Sequence, residues 1–253
     1  MMMHNTSNFY AGLSGIQLPV PKYKYPLEYQ AGSRLTYYAT HFNSIEINSS
    51  FYKIPGKNTV ARWSSSVPEN FRFTFKLFRE ITHAKNLDFD PGQVQKFIET
   101  IGHVSEKKGC VLVQFPPSLK TESIDQFNHL LHSIRIADPD SHWPIAVEFR
   151  NPAWYNDDVY DILTSYNASL VLHDKPVSAT PLRQETSDTL YVRFHGPTGN
   201  YKGSYSDDFL TEYAALILEW LEEDKTVYVY FNNTNGDAFN NLVTLKRFLD
   251  QRR

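Results

Sequence analysis

The sequence predicts an α/β protein, a single (β/α)8 TIM-like barrel spanning residues 1–253. Three observations carry this reading: eight short runs rich in β-branched and aromatic residues, helical stripes between most of them, and no Gly/Ser linker or charge block to divide the chain. Spread over eight units, the 253 residues leave about 32 per unit, close to the minimum for a βα repeat.

The strands are expected at 9–15, 42–48, 71–76, 110–115, 145–150, 169–174, 190–195 and 227–232. The first connection, 16–32, carries too much proline for a helix, leaving 33–41 for a short one, and the second unit shows a weak helical signal. The third helix is the best marked. Asp90 stands at the N-cap, Pro91 at the first helical position, Val94, Phe97, Ile98, Ile101 and Val104 form one stripe, and Gly109 lies past the end. Segments 123–136, 156–166 and 237–250 fit the same template, as does the helix after Ser206, which has Asp207 and Asp208 in its first turn. Residues 175–189 show no stripe and are expected to be a loop. The barrel is therefore irregular, with shortened or missing helices in its first, second and sixth units. An open doubly wound sheet is disfavoured because GxGxxG is absent; the nearest string is Gly12-Leu13-Ser14-Gly15.

Composition excludes several classes. Hydrophobic residues make up 41% of the chain, as a globular core requires. With 25 basic and 28 acidic side chains the net charge is −3, so no global positive field attracts long nucleic acid or an anionic membrane, and any anion site must be local. The lone cysteine, Cys110, allows neither an intramolecular disulfide nor a thiolate zinc cluster. The N-terminus lacks a signal-peptide pattern, and no apolar run approaches the roughly 18 residues of a membrane helix. A soluble, cytoplasmic protein is the expectation.

Function is read from alternation within the strands, because successive side chains point to opposite faces of a sheet. One face is apolar: Ile45, Ile47, Phe71, Phe73, Phe75, Val147, Phe149, Val192, Phe194, Val227, Val229 and Phe231 should meet the helices. The other carries Glu46, Asn48, Arg72, Lys76, Gln114, Glu148, Arg150, His173, Arg193, His195 and Asn232, concentrated at the C-terminal strand ends where barrel enzymes place their sites. Setting Arg72, Lys76, Arg150 and Arg193 against Glu46 and Glu148 leaves two surplus positive charges, which an anionic ligand would compensate. The alternative is a purely structural ion network closing the barrel.

The strings YATHFNSIEINSSFYKIP (38–55), FKLFREITHAKNL (75–87), VQFPPSL (113–119), VEFRNPAWY (147–155), LHDKP (172–176), YVRFHGPTGNYKGSYS (191–206) and FNNTNGDAFNN (231–241) resemble, in order, the motifs of the YecE-like family, domain of unknown function 72. The opening departs from the family, keeping Gly12, Ser14, Gly15, Tyr25 and Pro26 but no tryptophan. The resemblance implies a barrel relative without an established activity. As a site signature it carries across Glu46, Asn48, Lys76, His83, Gln114, Glu148, Arg150, Asp174, Arg193, His195, Asn232 and Asn233.

From these residues the expected protein is an enzyme acting on a small anionic or sugar-like metabolite, its reaction class (lyase, isomerase or hydrolase) left open. Glu46, Glu148 and His195 are the candidates for proton transfer; Asn48, Lys76, His83, Gln114, Arg150, Asp174, Arg193, Asn232 and Asn233 are candidates for substrate binding. The glycine-containing loop 196–203, with the turn before Asp237, is a candidate phosphate cradle. No cofactor is expected. A divalent metal held by Glu46, Glu148, His173, Asp174, His195 or His83 would turn the site into a phosphodiesterase or nuclease, but HxH, HxxxH and HExxH spacings are absent and arginines flank the ligands. A non-catalytic ligand-binding protein is the third reading. Trp63 and Trp154 are assigned to core cover rather than ring stacking, and Cys110 to inert packing.

Overall fold

The computed structural model describes residues 8–181 and 185–252. The first seven residues, and 182–184 of the expected 175–189 loop, lie outside that description. Every strand pairing among the described residues is parallel, and the strands form two sheets. One runs in the order β1 (Phe9–Leu13), β9 (Thr226–Phe231), β8 (Thr189–Phe194), β7 (Leu172–His173); the other runs β2 (Ser44–Ile47), β3 (Arg72–Lys76), β4 (Lys108–Gln114), β5 (Ile145–Glu148), β6 (Ala168–Leu170). All eight expected strands are present. The sixth is divided: Val171 N–H still donates to Val147 O on β5 at 2.9 Å, but from Leu172 onward the chain pairs with β8 instead.

Between β1 and β2, side chains take the place of a backbone ladder. The Tyr38 hydroxyl accepts from Leu13 N at 2.7 Å and donates to Ser44 O at 2.9 Å. The Asn43 amide accepts from Ala11 N at 2.9 Å and donates to Phe9 O at 2.8 Å. Glycine is needed at position 12 because a Cβ there would lie 2.0 Å from Ser44 O.

Helices follow their local signals. In α5 (Pro91–Ile101) the Asp90 carboxylate accepts from Gly92 N, and in α8 (Asp207–Glu222) Ser206 accepts from Phe209 N. Helices α6 (Ile124–Ala137), α7 (Asp157–Ser165) and α9 (Ala238–Gln251) lie where periodicity predicts. Three details differ. The second-unit helix, α3 (Lys57–Ser65), is as long as α7; its signal is faint because Val60 alone is fully buried. One helical turn, α1 (Leu27–Gln30), forms in the proline-rich segment because Pro26 precedes the turn instead of interrupting it; α2 (Arg34–Tyr38) follows as the short helix expected there. Gly109 belongs to β4, and α5 gives way at Gly102 to a tighter 3-10 turn. A further helical turn, α4 (Arg79–Thr82), follows β3. In the sixth unit no helix occurs among the described residues.

The apolar strand face packs under the helices as expected. Phe115, Phe149 and Trp154 stack there with Phe127 edge-on to them, and the Trp154 indole N–H donates to Leu119 O at 3.0 Å. Trp154 is core, and Trp63 is half-buried against the same cluster. On the opposite strand face Cys110, Leu112, Ala146, Val171, Tyr191, Tyr228 and Tyr230 form a separate buried cluster. Burial pushes the Cys110 thiol well up, so it is inert packing. No helix among the described residues is long and apolar enough to cross a membrane.

Candidate functional site

Residues two apart on a strand share a face, so β8 presents Tyr191, Arg193 and, just past its end, His195 toward the side chains of β2 and β5. Arg193 is the hub. Its Nε and Nη2 donate to Glu46 at 2.8–3.2 Å, and its Nη1 donates to Glu148 Oε2 at 3.1 Å. Glu46 also accepts from the Tyr191 hydroxyl at 2.6 Å. Arg150 pairs with the other oxygen of Glu148. His195 Nε2 lies 2.9 Å from Arg150 Nη2 and 3.0 Å from Arg193 Nη1. Since guanidinium groups only donate, Nε2 is the acceptor and the imidazole proton sits on Nδ1, which faces Asp174 Oδ1 at 3.2 Å. Asp174 further accepts from His195 N and from the Tyr205 hydroxyl.

The electrostatics follow from burial opposed by pairing. Burial alone would raise the carboxyls of Glu46 and Glu148, both fully buried, but Arg193 beside the first, and Arg150 with Arg193 beside the second, hold them below the ordinary carboxylate range. Arg193 is correspondingly raised: burial disfavours its charge, and the two carboxylates outweigh that cost. His195 is lowered to about 4, chiefly by burial, so it is neutral near pH 7.

Above this network lies a cavity of about 180 Å³ lined by Asn48, Phe51, Tyr52, Lys76, Gln114, Arg150, Arg193, Tyr201 and Asn232. Lys76 Nζ donates to Gln114 Oε1 at 2.8 Å and sits 4.3 Å from the centre of the Phe51 ring. Among the described residues no carboxylate oxygen comes within 4.0 Å of Lys76. Burial, reinforced by Arg193, lowers its ammonium to about 8. Asn48 Oδ1 and Arg150 Nε are buried without a hydrogen-bond partner among the described residues. A second cavity, about 340 Å³, shares Gln114, Arg150 and Tyr201 with the first and reaches His83, Lys175 and Ser178.

Of the residues singled out in the sequence, Asn48, Lys76, Gln114, Arg150, Arg193 and Asn232 meet at the cavity wall. Glu46, Glu148 and His195 lie beneath it, spent on the two arginines, and Asp174 lies behind His195. His83 is exposed on the rim of the second cavity, edge-on to Phe51. Asn233 is buried away from the cavity, its amide donating to Gly203 O and Asn241 Oδ1 at 3.0 and 2.9 Å. Three expectations need correction. Arg72 stands at the far end of β3 from Lys76, over the Tyr10 ring and bonded to Glu69 O and Phe71 O, so Lys76, Arg150 and Arg193 remain against Glu46 and Glu148, a surplus of one positive charge rather than two, and Asp174 behind His195 offsets that one as well. His173 keeps its expected place on the interior face, its ring 5.6 Å from that of His195, but as a candidate metal ligand it is spent on the backbone, bonding Phe149 O at 3.0 Å and accepting from Lys175 N. The presumed phosphate cradle is closed: Asp237 N–H is used by Gly203 O and Gly236 N–H by Asn233 O, and Gly236 packs so tightly that a Cβ would lie 2.4 Å from Gly203 O.

Residues 10–253 match the family described as protein of unknown function DUF72. The chain belongs to the DUF72 family. It is similar to the UPF0759 protein YunF of Bacillus subtilis (strain 168), 28% identical over 259 residues that cover 89% of this chain and 90% of YunF. To the UPF0759 protein YecE of Escherichia coli (strain K12) it is 26% identical over 141 residues, 55% of this chain and 50% of YecE. A DUF72 family protein of Enterococcus faecalis V583 has the same fold, with a TM-score of 0.79 at 24% identity over 96% of this chain and 95% of that one. For one of Thermotoga maritima MSB8 the TM-score is 0.76 at 25% identity, covering 96% and 99%. The family resemblance of the sequence motifs is therefore borne out, and the family match extends over residues 10–253.

Sequence reasoning passed over Phe51, Tyr52 and Tyr201 at the cavity wall, and the Tyr191 and Tyr205 hydroxyls that support the network. A signal existed for Tyr191, which shares its strand face with Arg193. Tyrosine reads as apolar in a hydropathy pattern, and its hydroxyl declares itself only when a buried carboxylate is nearby.

Proposed function

We propose that this DUF72 chain is an enzyme that binds a small anionic metabolite in the cavity above Arg193, and that its two sheets are the two walls of one irregular (β/α)8 barrel. For the barrel speak the unbroken passage from β6 through Val171 into β7 and the Tyr38 and Asn43 bridges between β1 and β2. The cavity then lies at the C-terminal mouth, the usual place of barrel active sites.

One observation carries the functional reading: the cavity wall combines Lys76, Arg150 and Arg193, whereas the carboxylates that neutralise the arginines lie behind them. A ligand entering there meets cationic and amide donors held rigid from beneath, which is what recognition of a carboxylate or phosphate requires. A divalent cation would be repelled by the same wall, and both buried glutamates are already committed to arginine, so the metal-dependent phosphodiesterase reading is disfavoured. Glu46, Glu148 and His195 act here by holding the arginines, and Lys76 is the wall group that exchanges a proton near neutral pH.

The test is a thermal-shift series with inorganic phosphate, sulfate, short carboxylates and sugar phosphates, with and without EDTA. A rise in Tm with anions that survives chelation supports the reading. A rise that needs divalent metal would replace it with the phosphodiesterase alternative, and binding without turnover of any bound class would leave a ligand-binding protein.

A further inference from the structure

We propose that Lys76 is a carbonyl-reactive amine, and that the metabolite bound in this cavity is a small anionic aldehyde or ketone captured through an imine to Nζ. This deepens the anion-site reading and rests on it.

The placement of Lys76 differs from that of the other cations at the wall. Arg150 and Arg193 are each paired with a buried glutamate, whereas Lys76 has a neutral partner, Gln114 Oε1 at 2.8 Å, and the face of Phe51 at 4.3 Å. The amide oxygen, the ring face and the more distant Glu148 and Glu46 favour the ammonium, but desolvation together with Arg193 outweighs them and brings it to about 8, so a useful fraction is unprotonated near neutral pH. Lysines made nucleophilic in this way, by burial and a neighbouring cation, attack carbonyl carbon. The arginines supply the complementary half of the site, since an anionic group seated on them delivers an adjoining carbonyl to the Lys76 side of a cavity of only about 180 Å³. With that volume the ligand is a few heavy atoms across.

The step balances without a further reagent. The Nζ lone pair forms a bond to the carbonyl carbon, the C=O π pair passes to oxygen, and the proton lost by nitrogen is taken up by that oxygen, giving a carbinolamine. The C–O bond then breaks, its hydroxyl leaving with a second nitrogen proton as water, and the C=N bond remains. Tyr201, Asn48 and Asn232 line the same cavity and carry polar groups suited to receive that water. Tyr155, which bonds Ser178 O, is not part of it.

The experiment incubates the full chain with glyoxylate or with dihydroxyacetone phosphate, adds borohydride, and locates the adduct by peptide mass mapping. Borohydride delivers hydride to the imine carbon, so a trapped adduct adds the probe's mass less one oxygen. Supporting results are an adduct concentrated at Lys76, a trapping rate that rises with pH about a midpoint near 8, and loss of the adduct in Lys76→Arg. The glyoxylate arm tests a carboxylate next to the carbonyl, the other arm a phosphate. Adduct spread evenly over surface lysines, or persisting in Lys76→Arg, overturns the proposal. So does a wild-type chain whose Tm rises with inorganic phosphate yet yields no adduct with either probe, which leaves the anion site standing. No Tm rise with phosphate or either probe removes the underlying reading as well.

Discussion

Glu46 accepts from Arg193 and Tyr191 in full burial, so each partner is indispensable to the other. Glu46→Gln leaves the guanidinium partly uncompensated and should cost about 3–5 kcal/mol, read by urea unfolding, with Glu46→Gln/Arg193→Met recovering much of the loss. If the single variant costs no more than a surface change, the network does not hold the interior together. His195 makes a pH prediction. Its folded value, about 4, lies below the ordinary histidine value of 6.5. Over that interval the unfolded chain binds a proton that the native chain refuses, so stability falls as pH drops from about 6.5 to 4, by up to about 1.4 kcal/mol per pH unit. The depressed glutamates add loss in the same direction as pH falls below their usual range. His195→Gln should make the slope between pH 6.5 and 4 shallower, the remainder belonging to His41, His83 and His173, which are lowered too, and an unchanged slope would assign it wholly to those groups.

Among the elements, the β1–β2 seam depends on side chains that a backbone ladder would render redundant. Tyr38→Phe strands Leu13 N–H and frees Ser44 O from its donor, at about 1–3 kcal/mol for each group left unpaired in the interior. Hydrogen exchange should report it as faster exchange of the Leu13 amide, whereas Asp90→Ala at the start of α5 should cost only about 1 kcal/mol in denaturant melts and leave that amide untouched. The start and the end of α5 also mark where the sequence was legible and where it was not. Asp90 and Pro91 specify a helix start through contacts within one turn, and the structure has that start. Gly109 looked like a helix end by the same local logic. It sits in β4, where a Cβ would fall 2.8 Å from Phe73 O of the neighbouring strand, so glycine is required there by a neighbour that is invisible to a local window.

For the molecule as a whole, the cationic wall of the cavity is a local exception to a net charge of −3, and occupancy by the anion proposed for it should be linked to protons. A bound anion favours charged Lys76, so above pH 8 binding must be accompanied by proton uptake and affinity should fall as pH rises. Calorimetry in buffers of different ionisation enthalpy measures this directly, and binding without proton exchange at pH 8.5 would place the anion away from Lys76. At a hundredfold excess over Kd the linkage contributes about 2.7 kcal/mol, which for a chain of this size is a rise in Tm of about 5–10 °C. The amino-acid sequence by itself determined the strand positions, most helices, the apolar face under the helices and the identity of the polar set, because periods of two and 3.6 residues and capping contacts are properties of short segments. Only the tertiary structure decided that Arg72 stands apart from Lys76, that Glu46, Glu148 and His195 lie under the arginines, and that Lys76 alone among the wall cations lacks a carboxylate. Those outcomes depend on which side chains the fold brings together from strands 45 to 147 residues apart, and in a buried site a carboxylate is stable only beside a cation that can saturate its oxygens.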